Sequence, residues 1–441
     1  MRMTQATLPL VGIPKTNGEA NKIDPSDLPV HDWYRFVLSF PPHLVRQYLE
    51  KFELGKGSTL LDPFCGTGTT VVECKKRGFD AIGIEALPMP AFASKTKTFW
   101  SIDPEQLRRH ATSIADRTLE DLQKQGVADD LSLPKSNPAT NLRTLPSETL
   151  RLLLKDSISP LPLHKALVLL DHIRGGRDNP LKDIELLALA KALVSNIGNL
   201  KFGPEVGIGK LKHNSLVVQP WLENVVLMAN DLSLLSGTTW PQSTIHKADA
   251  RDASSVVEPS SVDAVFTSPP YPNEKDYTRT TRLETVILGL ASNMDDLRNA
   301  KKTLIRSNTR SVYKSDTDDD FVMHNSKIQA IAKEIEKRRI ELGKTSGFER
   351  LYHRVTKLYF GGMVHHLSAL RLVLRPGARL GYVVGDQASY LRVMIRTGQI
   401  LAELAEQLGY SVESIDLFRT RLATATGEQL REEVLILRWL G

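Results

Sequence analysis

Cysteine is nearly missing from this chain: Cys65 and Cys74 are the only two in 441 residues. Two thiols close together in sequence make neither a disulfide framework nor a four-ligand thiolate zinc site, and both read as small, semi-buried side chains. No apolar run approaches the roughly 18 residues that a membrane-spanning helix requires. The opening stretch MRMTQATLPLVGIPKTNGEANKIDPSDLP lacks a long apolar core and is rich in Pro, Asn and Asp. It reads as a flexible arm over residues 1–30 and not as a signal peptide, so a cytoplasmic location is expected. Internal repeats are absent. Charge of one sign does not dominate either: 57 Lys and Arg stand against 51 Asp and Glu, a net +6. That mild excess fits a partner carrying phosphates, and equally fits many proteins that bind no nucleic acid.

What is present is a broken α/β pattern. From Ser58, STLLD is a short apolar strand ending in Asp62, PFCGTG is a turn, TTVVECKKRG has helical spacing, and DAIGIE is a second strand ending in Glu85. This order opens a parallel sheet. The pattern stops for a mostly helical stretch over 104–240, where PLHKALVLLDHI and DIELLALAKALVSNI carry apolar residues at helical spacing. It resumes over 241–276 with STIHKADARD and VDAVFTSPPY, stops again over a charged stretch at 277–354, and returns over 355–441. There LYFGGMVHHLSALRLVL is a helix ended by RPG, followed by strand ARLGYVVGD, helix GQILAELAEQLGY and strands SVESIDLF and EEVLILRWL. One sheet domain built from 31–103, 241–276 and 355–441 is therefore expected. The two insertions would cap the edge where the strands end, which is where such folds bind ligands.

The loop LLDPFCGTGTT carries the first chemical signal. Gly66 and Gly68 allow a tight turn and the close approach of a ligand, and the next helix aims its N-terminus there. A dinucleotide fingerprint would place a third glycine at position 71, which is Val71. The acid Asp62 at the strand end would repel a pyrophosphate but suits a cationic amino group. Glu85 is placed to accept hydrogen bonds from ribose hydroxyls. A ligand with a ribose, a positive amino group and no phosphate describes S-adenosyl-L-methionine.

Taken with AIGIEALP, this loop resembles the cofactor segment of the DNA amino-methyltransferases, which modify exocyclic amines of cytosine or adenine. FPPHLVRQYLEKF is similar to the helix preceding that segment in many of them. The resemblance implies a Rossmann-like methyltransferase fold: a mostly parallel seven-stranded sheet with helices on both faces. It implies that Asp62, Pro63, Phe64, Gly66 and Gly68 line the methionine part of the cofactor. Thr69 joins them at the helix start, Glu85 holds the ribose, and Asp249, at the end of the third strand, lies near the adenine.

TSPPY resembles the catalytic motif of the same family. Pro269 and Pro270 have fixed φ and donate no amide hydrogen. The Ser268 hydroxyl and the Pro269 carbonyl can then accept hydrogen bonds from the two protons of a base amine and turn its lone pair toward a methyl sulfonium. Tyr271 would stack on a base flipped out of the duplex. Serine before the prolines goes, in the family, more often with cytosine N4 than with adenine N6. Here the glycine loop precedes the proline motif, the reverse of many relatives with this motif, and the insertions lie outside the resemblance.

The expected partner is double-stranded DNA, in restriction–modification or phage defence, with a cognate restriction endonuclease as a further partner. Phosphate contacts are expected from Lys201, Lys210 and Lys212 in a glycine-rich loop, and from Arg279, Arg282, Arg306 and Arg310 after the proline motif. The run DTDDD at 316–320 is expected to face solvent. His365 and His366 have no ligand partners at metal spacing, and no metal is expected. Three other readings stand beside this one: the same chemistry on adenine N6, on RNA, or a DNA-binding module that keeps only a methylase-like core.

Overall fold

The computed structural model describes residues 21–35, 39–131, 142–175, 179–203, 205–273, 275–422 and 427–441. Its strands are β1 (Thr59–Asp62), β2 (Asp80–Ile84), β3 (Leu200–Phe202), β4 (Val206–Ile208), β5 (Ser243–His246), β6 (Val262–Thr267), β7 (Leu374–Gly385), β8 (Tyr410–Leu422) and β9 (Gln429–Trp439). Seven of them form one sheet in the order β5-β2-β1-β6-β7-β9-β8, and β3 and β4 form a separate hairpin. The five strands from β5 to β7 run parallel, and β9 lies antiparallel to both β7 and β8. This is the expected fold class.

Strands buried on both faces read as near-continuous apolar runs, and β6 is such a strand, with Val262, Ala264, Val265 and Phe266 fully buried. Helices Tyr352–Leu370 and Thr397–Gln407 cover one face of the sheet. Helices Pro42–Lys51 and Thr69–Lys76 cover the other, through Leu44, Tyr48, Val71 and Cys74. Helices Pro104–Lys124, Pro160–Arg174, Leu181–Ala192 and Val218–Leu235 pack into a second core around Trp221.

Chain order places the ligand site. From β1 the sheet grows outward through β2 and β5, then returns to put β6 on the other side of β1, with Leu60 against Ala264 and Leu61 against Val265. The order reverses between β1 and β6, and the crevice beyond the carboxyl ends of such a pair is where open α/β sheets bind ligands. The glycine loop and the proline motif leave those two ends.

Several expectations need correction. Residues 1–20 of the expected arm lie outside the described residues, but the part that follows is packed. Val30 is fully buried and its amide donates to Asp231 at 2.8 Å, and Asp27 pairs with Arg46 at 2.8 Å. The glycine-rich loop after Asn199 holds the β3–β4 hairpin. Arg375-Pro376-Gly377 does not end the helix, which stops at Leu370. It forms an irregular stretch of β7, which pairs with Val262 through Leu374 and with Ala264 through Arg379. The acidic run does not face solvent as a whole: Asp318 is buried and accepts from Arg251 at 2.6 Å, and Asp316 pairs with Arg306 at 2.8 Å.

Asp318 also explains a glycine. A methyl group on Gly361 would fall 1.7 Å from the Asp318 carbonyl oxygen, a backbone atom that cannot rotate away. Gly361→Ala is expected to cost the upper part of the roughly 1–3 kcal/mol that overpacking costs. The midpoint of denaturant unfolding measures it.

Candidate active site

The glycine loop begins by continuing the sheet, since the Cys65 amide donates to the Ile84 carbonyl at 3.0 Å. The Gly68 amide then donates back to the Cys65 carbonyl at 2.7 Å, which closes the turn. Gly66 and Gly68 both sit in the left-handed region, at φ 51° and 87°. Their surroundings differ. A methyl group on Gly66 would meet no atom within 4 Å, whereas one on Gly68 would lie 2.9 Å from the Ser94 hydroxyl. Gly66 therefore leaves room for a ligand, and Gly68 leaves room for the helix Pro88–Lys97.

Glu85, just past β2, clasps this loop. Its carboxylate accepts from the Gly66 amide at 3.0 Å and the Leu87 amide at 2.7 Å. Burial outweighs those bonds and pushes its pKa up to about 7. Asp62 lies deeper, with 1% of its surface exposed. One carboxylate oxygen accepts from the Thr267 hydroxyl at 2.5 Å and the Phe64 amide at 3.1 Å. Burial raises its pKa to about 6. Because Thr267 ends β6, Asp62 fastens the glycine loop directly to the proline motif.

The Ser268 hydroxyl donates to the Val383 carbonyl of β7 at 3.1 Å. Its single proton is engaged there and the Tyr271 phenol is a second hydrogen-bond neighbour, which still leaves a lone pair able to accept. The Tyr271 ring lies over β7, where a methyl group on Gly385 would come 3.0 Å from it. Burial and the nearby Glu432 carboxylate push the phenol well above its ordinary value.

Both loops line one cavity of about 590 Å³. Pro63, Phe64, Gly66, Thr69, Glu85 and Asp249 stand in its wall together with Ser268, Pro269, Pro270 and Tyr271. Asp62 and Gly68 are not in that wall; they shape the loop from behind. Asp249 is displaced from its expected place, since β5 ends at His246 and Asp249 instead caps the short helix Ala250–Ser255. Phe64 is held edge-on to His366, with ring centres 4.8 Å apart. His366 is a core residue, bonded to the Ala250 carbonyl and the Tyr382 hydroxyl, both at 2.8 Å. Burial lowers its pKa to about 4, so it stays neutral. Among the described residues no group of three or more His, Cys, Asp or Glu could hold a metal ion. Cys65 and Cys74 are both buried, which pushes their thiols well up and leaves neither activated.

Sequence reasoning missed part of the wall. Thr303, Leu304 and Ile305 enter from the second insertion, and Lys275, Arg421 and Glu432 close the side beyond Tyr271. The Lys275 ammonium has no hydrogen-bond or ion-pair partner among the described residues, although its backbone is held by Asn273 and Asn308. Arg419 and Glu432 face each other across β8 and β9 and pair at 2.5 Å. Alternation of charge in the two strands was the available signal.

The cations expected at DNA divide into two groups. Lys201, Lys210 and Arg310 are exposed. Lys212 instead donates to the Asn196 and Gly198 carbonyls at 2.7 and 2.8 Å, closing the turn before β3. Arg306 is 3% exposed and is consumed by Asp316 and by the Lys301 and Lys302 carbonyls. Arg282 ties the Leu152 carbonyl to Thr278, and Arg279 leans on the Val206 carbonyl at 3.4 Å. Buried or committed guanidinium groups of this kind hold elements together and are poorly placed to meet a phosphate.

A family model described as DNA methylase (N6_N4_Mtase) matches residues 11–89. The chain is 26% identical over 431 residues to the Type II methyltransferase M.BsoBI of Geobacillus stearothermophilus, covering 89% of this chain and 81% of that protein. It is 25% identical over 425 residues to the Type II methyltransferase M.AvaI of Nostoc sp., covering 90% and 81%. A shorter likeness, 30% over 91 residues, joins it to the Type II methyltransferase M.MjaII of Methanocaldococcus jannaschii, covering 21% of this chain and 17% of that one. No helix among the described residues is long and apolar enough to cross a membrane.

Proposed function

Because this chain belongs to the family of DNA amino-methyltransferases, we propose that it methylates the N4 amine of a cytosine flipped out of double-stranded DNA, using S-adenosylmethionine. The observation that carries this reading is the convergence of the glycine loop and Ser268–Tyr271 on one cavity at the switch between β1 and β6. The wall suits the cofactor: Gly66 presents bare backbone, and Glu85 offers a carboxylate beside it. Phe64 and Gly66 would hold the amino-acid end, Glu85 the ribose and Asp249 the adenine, while Asp62 and Gly68 hold the loop in shape. The bound cofactor supplies an electrophilic methyl group on a sulfonium.

The protein's own residues then have three tasks. The Ser268 hydroxyl, which donates its own hydrogen to the Val383 carbonyl, accepts a hydrogen bond from one amine N–H, and the Pro269 carbonyl accepts one from the other. This favours a pyramidal nitrogen with an available lone pair and stabilises the positive charge that develops on it. Once the methyl is bonded to nitrogen and the thioether has left, one of these N–H protons departs to solvent. Tyr271 stacks on the extruded ring, and the cavity excludes water. Lys201, Lys210 and Arg310 are the side chains we assign to the phosphate backbone. The Type II names of the relatives support a place in restriction–modification beside an endonuclease. The test is expression in a host lacking DNA methylation, followed by sequencing chemistry that reports base methylation and mass spectrometry of nucleosides. N4-methylcytosine at one recurrent sequence is expected; N6-methyladenine, or a methyl group found only in RNA, would overturn the assignment.

Glu85 gives this reading a pH signature. Its carboxylate accepts ribose hydroxyls best when ionised, and burial holds its pKa near 7. Affinity for S-adenosylhomocysteine should therefore fall by up to about tenfold per unit as pH drops below 7. Glu85→Gln should bind more weakly at pH 8 and show a flat profile. The stability of the free protein has the opposite sign: between about 4.5 and 7 the folded state keeps a proton that the unfolded state has lost, so this group's cost shrinks as pH falls. Calorimetric titrations from pH 6 to pH 8 on both proteins measure the affinity.

A further inference from the structure

One guanidinium joins two chain segments of the cavity wall. Asp249 stands in the wall beside Ala248 and Ala250. Its carboxylate accepts from the Arg251 amide at 2.9 Å, from Arg251 Nε at 3.1 Å to each oxygen, and from Nη2 at 2.6 Å. A bidentate guanidinium of this kind fixes the plane of a carboxylate as well as its position. The other arm of Arg251 reaches the second insertion, where Nη1 donates to Asp318 at 2.6 Å and Nη2 also donates to the Lys302 carbonyl at 3.0 Å. Lys302 leads directly into Thr303, Leu304 and Ile305, which line the same cavity. Asp318 cannot shift to follow a displaced partner, because its backbone rests on Gly361.

We propose that Arg251 is the positioning residue that aims the Asp249 carboxylate at the 6-amino group of the cofactor's adenine and locks residues 303–305 against the occupied cofactor site. The inference rests on the reading of this cavity as a nucleoside-cofactor site. The same guanidinium serves both contacts, so the cofactor's base and the wall contributed by the insertion are set together. Lysine cannot replace it, because a single ammonium cannot hold a carboxylate in bidentate fashion while reaching a second one.

The test compares S-adenosylhomocysteine with S-inosylhomocysteine, which carries an oxygen in place of the 6-amino group, by calorimetry on the full chain. The wild type should prefer the adenosyl ligand by about tenfold or more, the usual scale for one hydrogen bond to a charged group. In Arg251→Met that preference should fall to about twofold or less, and Arg251→Lys should recover only part of it. A variant that is merely looser would weaken both ligands alike and keep their ratio. Hydrogen exchange supplies the second arm. S-adenosylhomocysteine should protect amides of residues 302–306 in the wild type but not in Arg251→Met. Asp318→Ala leaves Asp249 and Arg251 in place, so it should keep the base preference and lose the protection. An unchanged preference in Arg251→Met, or equal protection in all three proteins, overturns the proposal. If the wild type binds neither ligand, the cofactor reading fails and this inference fails with it. Failure of methyl transfer with binding intact would overturn the catalytic reading alone.

Discussion

Tyr271→Ala is expected to slow methyl transfer by one to two orders of magnitude while leaving the dissociation constant of S-adenosylhomocysteine within about a factor of two. The size follows from stacking: an aromatic platform contributes about 1–3 kcal/mol per base, which is roughly 5- to 150-fold in rate. The separation of effects follows from position. Tyr271 packs over Gly385 and beside Glu432, whereas the turn assigned to the cofactor is held by Glu85 through the Gly66 amide. Tyr271→Phe keeps the stacking ring and loses only the phenol's hydrogen bond with Ser268, so it should keep most of the activity. Single-turnover rates with the methylated sequence identified in the host, together with calorimetric binding, check both halves. If Tyr271→Ala weakened cofactor binding as much as it slowed turnover, the ring would belong to the cofactor's side of the cavity and the stacking role would be lost.

The parts of this molecule that were legible in sequence are those governed by local rules. Parallel strands buried on both faces must be apolar almost throughout, so β1, β2 and β6 stand out as short runs. An acid or a proline marks each end because the backbone leaves the sheet there. The two loops could be recognised one at a time for the same reason. Their meeting could not, since it depends on β6 returning to pair with β1 across the whole helical insertion. The charged segment after the proline motif shows where local reasoning fails. Sequence alone makes Arg306 a candidate DNA contact and the acidic run at 316–320 a solvated face, yet Arg306 and Asp316 are each other's partners, as are Arg251 and Asp318. In a segment with both signs of charge, composition cannot tell a surface from an internal ion-pair network. The low dielectric of the interior makes such mutual pairing the condition for burial. Thr303–Ile305 escaped notice for a related reason: their place in the wall is set by that network, and nothing in their side chains announces it.

Gly68→Ala and Gly66→Ala should fail in different ways, although they differ by two positions in one motif. At Gly68 the chain is at φ 87°, and a new methyl group would lie 2.9 Å from the Ser94 hydroxyl and 3.2 Å from Ser94 Cα. Ser94 is also the residue whose hydroxyl donates to the Gly66 carbonyl at 2.7 Å. Displacing the helix Pro88–Lys97 to relieve the clash would therefore break the bond that holds the neighbouring turn. The left-handed conformation costs an alanine about 1–2 kcal/mol, and overpacking against a backbone atom adds about 1–3 kcal/mol. Melting temperature and cofactor affinity should fall together, affinity by about two orders of magnitude if most of that cost is released only by opening the loop. At Gly66 the added methyl group meets nothing within 4 Å, and it projects into the space assigned to the cofactor. Gly66→Ala carries only the conformational cost, so it should melt closer to the wild type than Gly68→Ala does, while losing at least as much affinity. Thermal melts with and without S-adenosylhomocysteine separate the two, because the ligand-induced shift should nearly vanish in both while the ligand-free midpoint drops clearly in Gly68→Ala. A Gly66→Ala protein that bound S-adenosylhomocysteine as tightly as the wild type would show that the ligand does not pass over this turn, and the placement of the cofactor in the cavity would have to be abandoned.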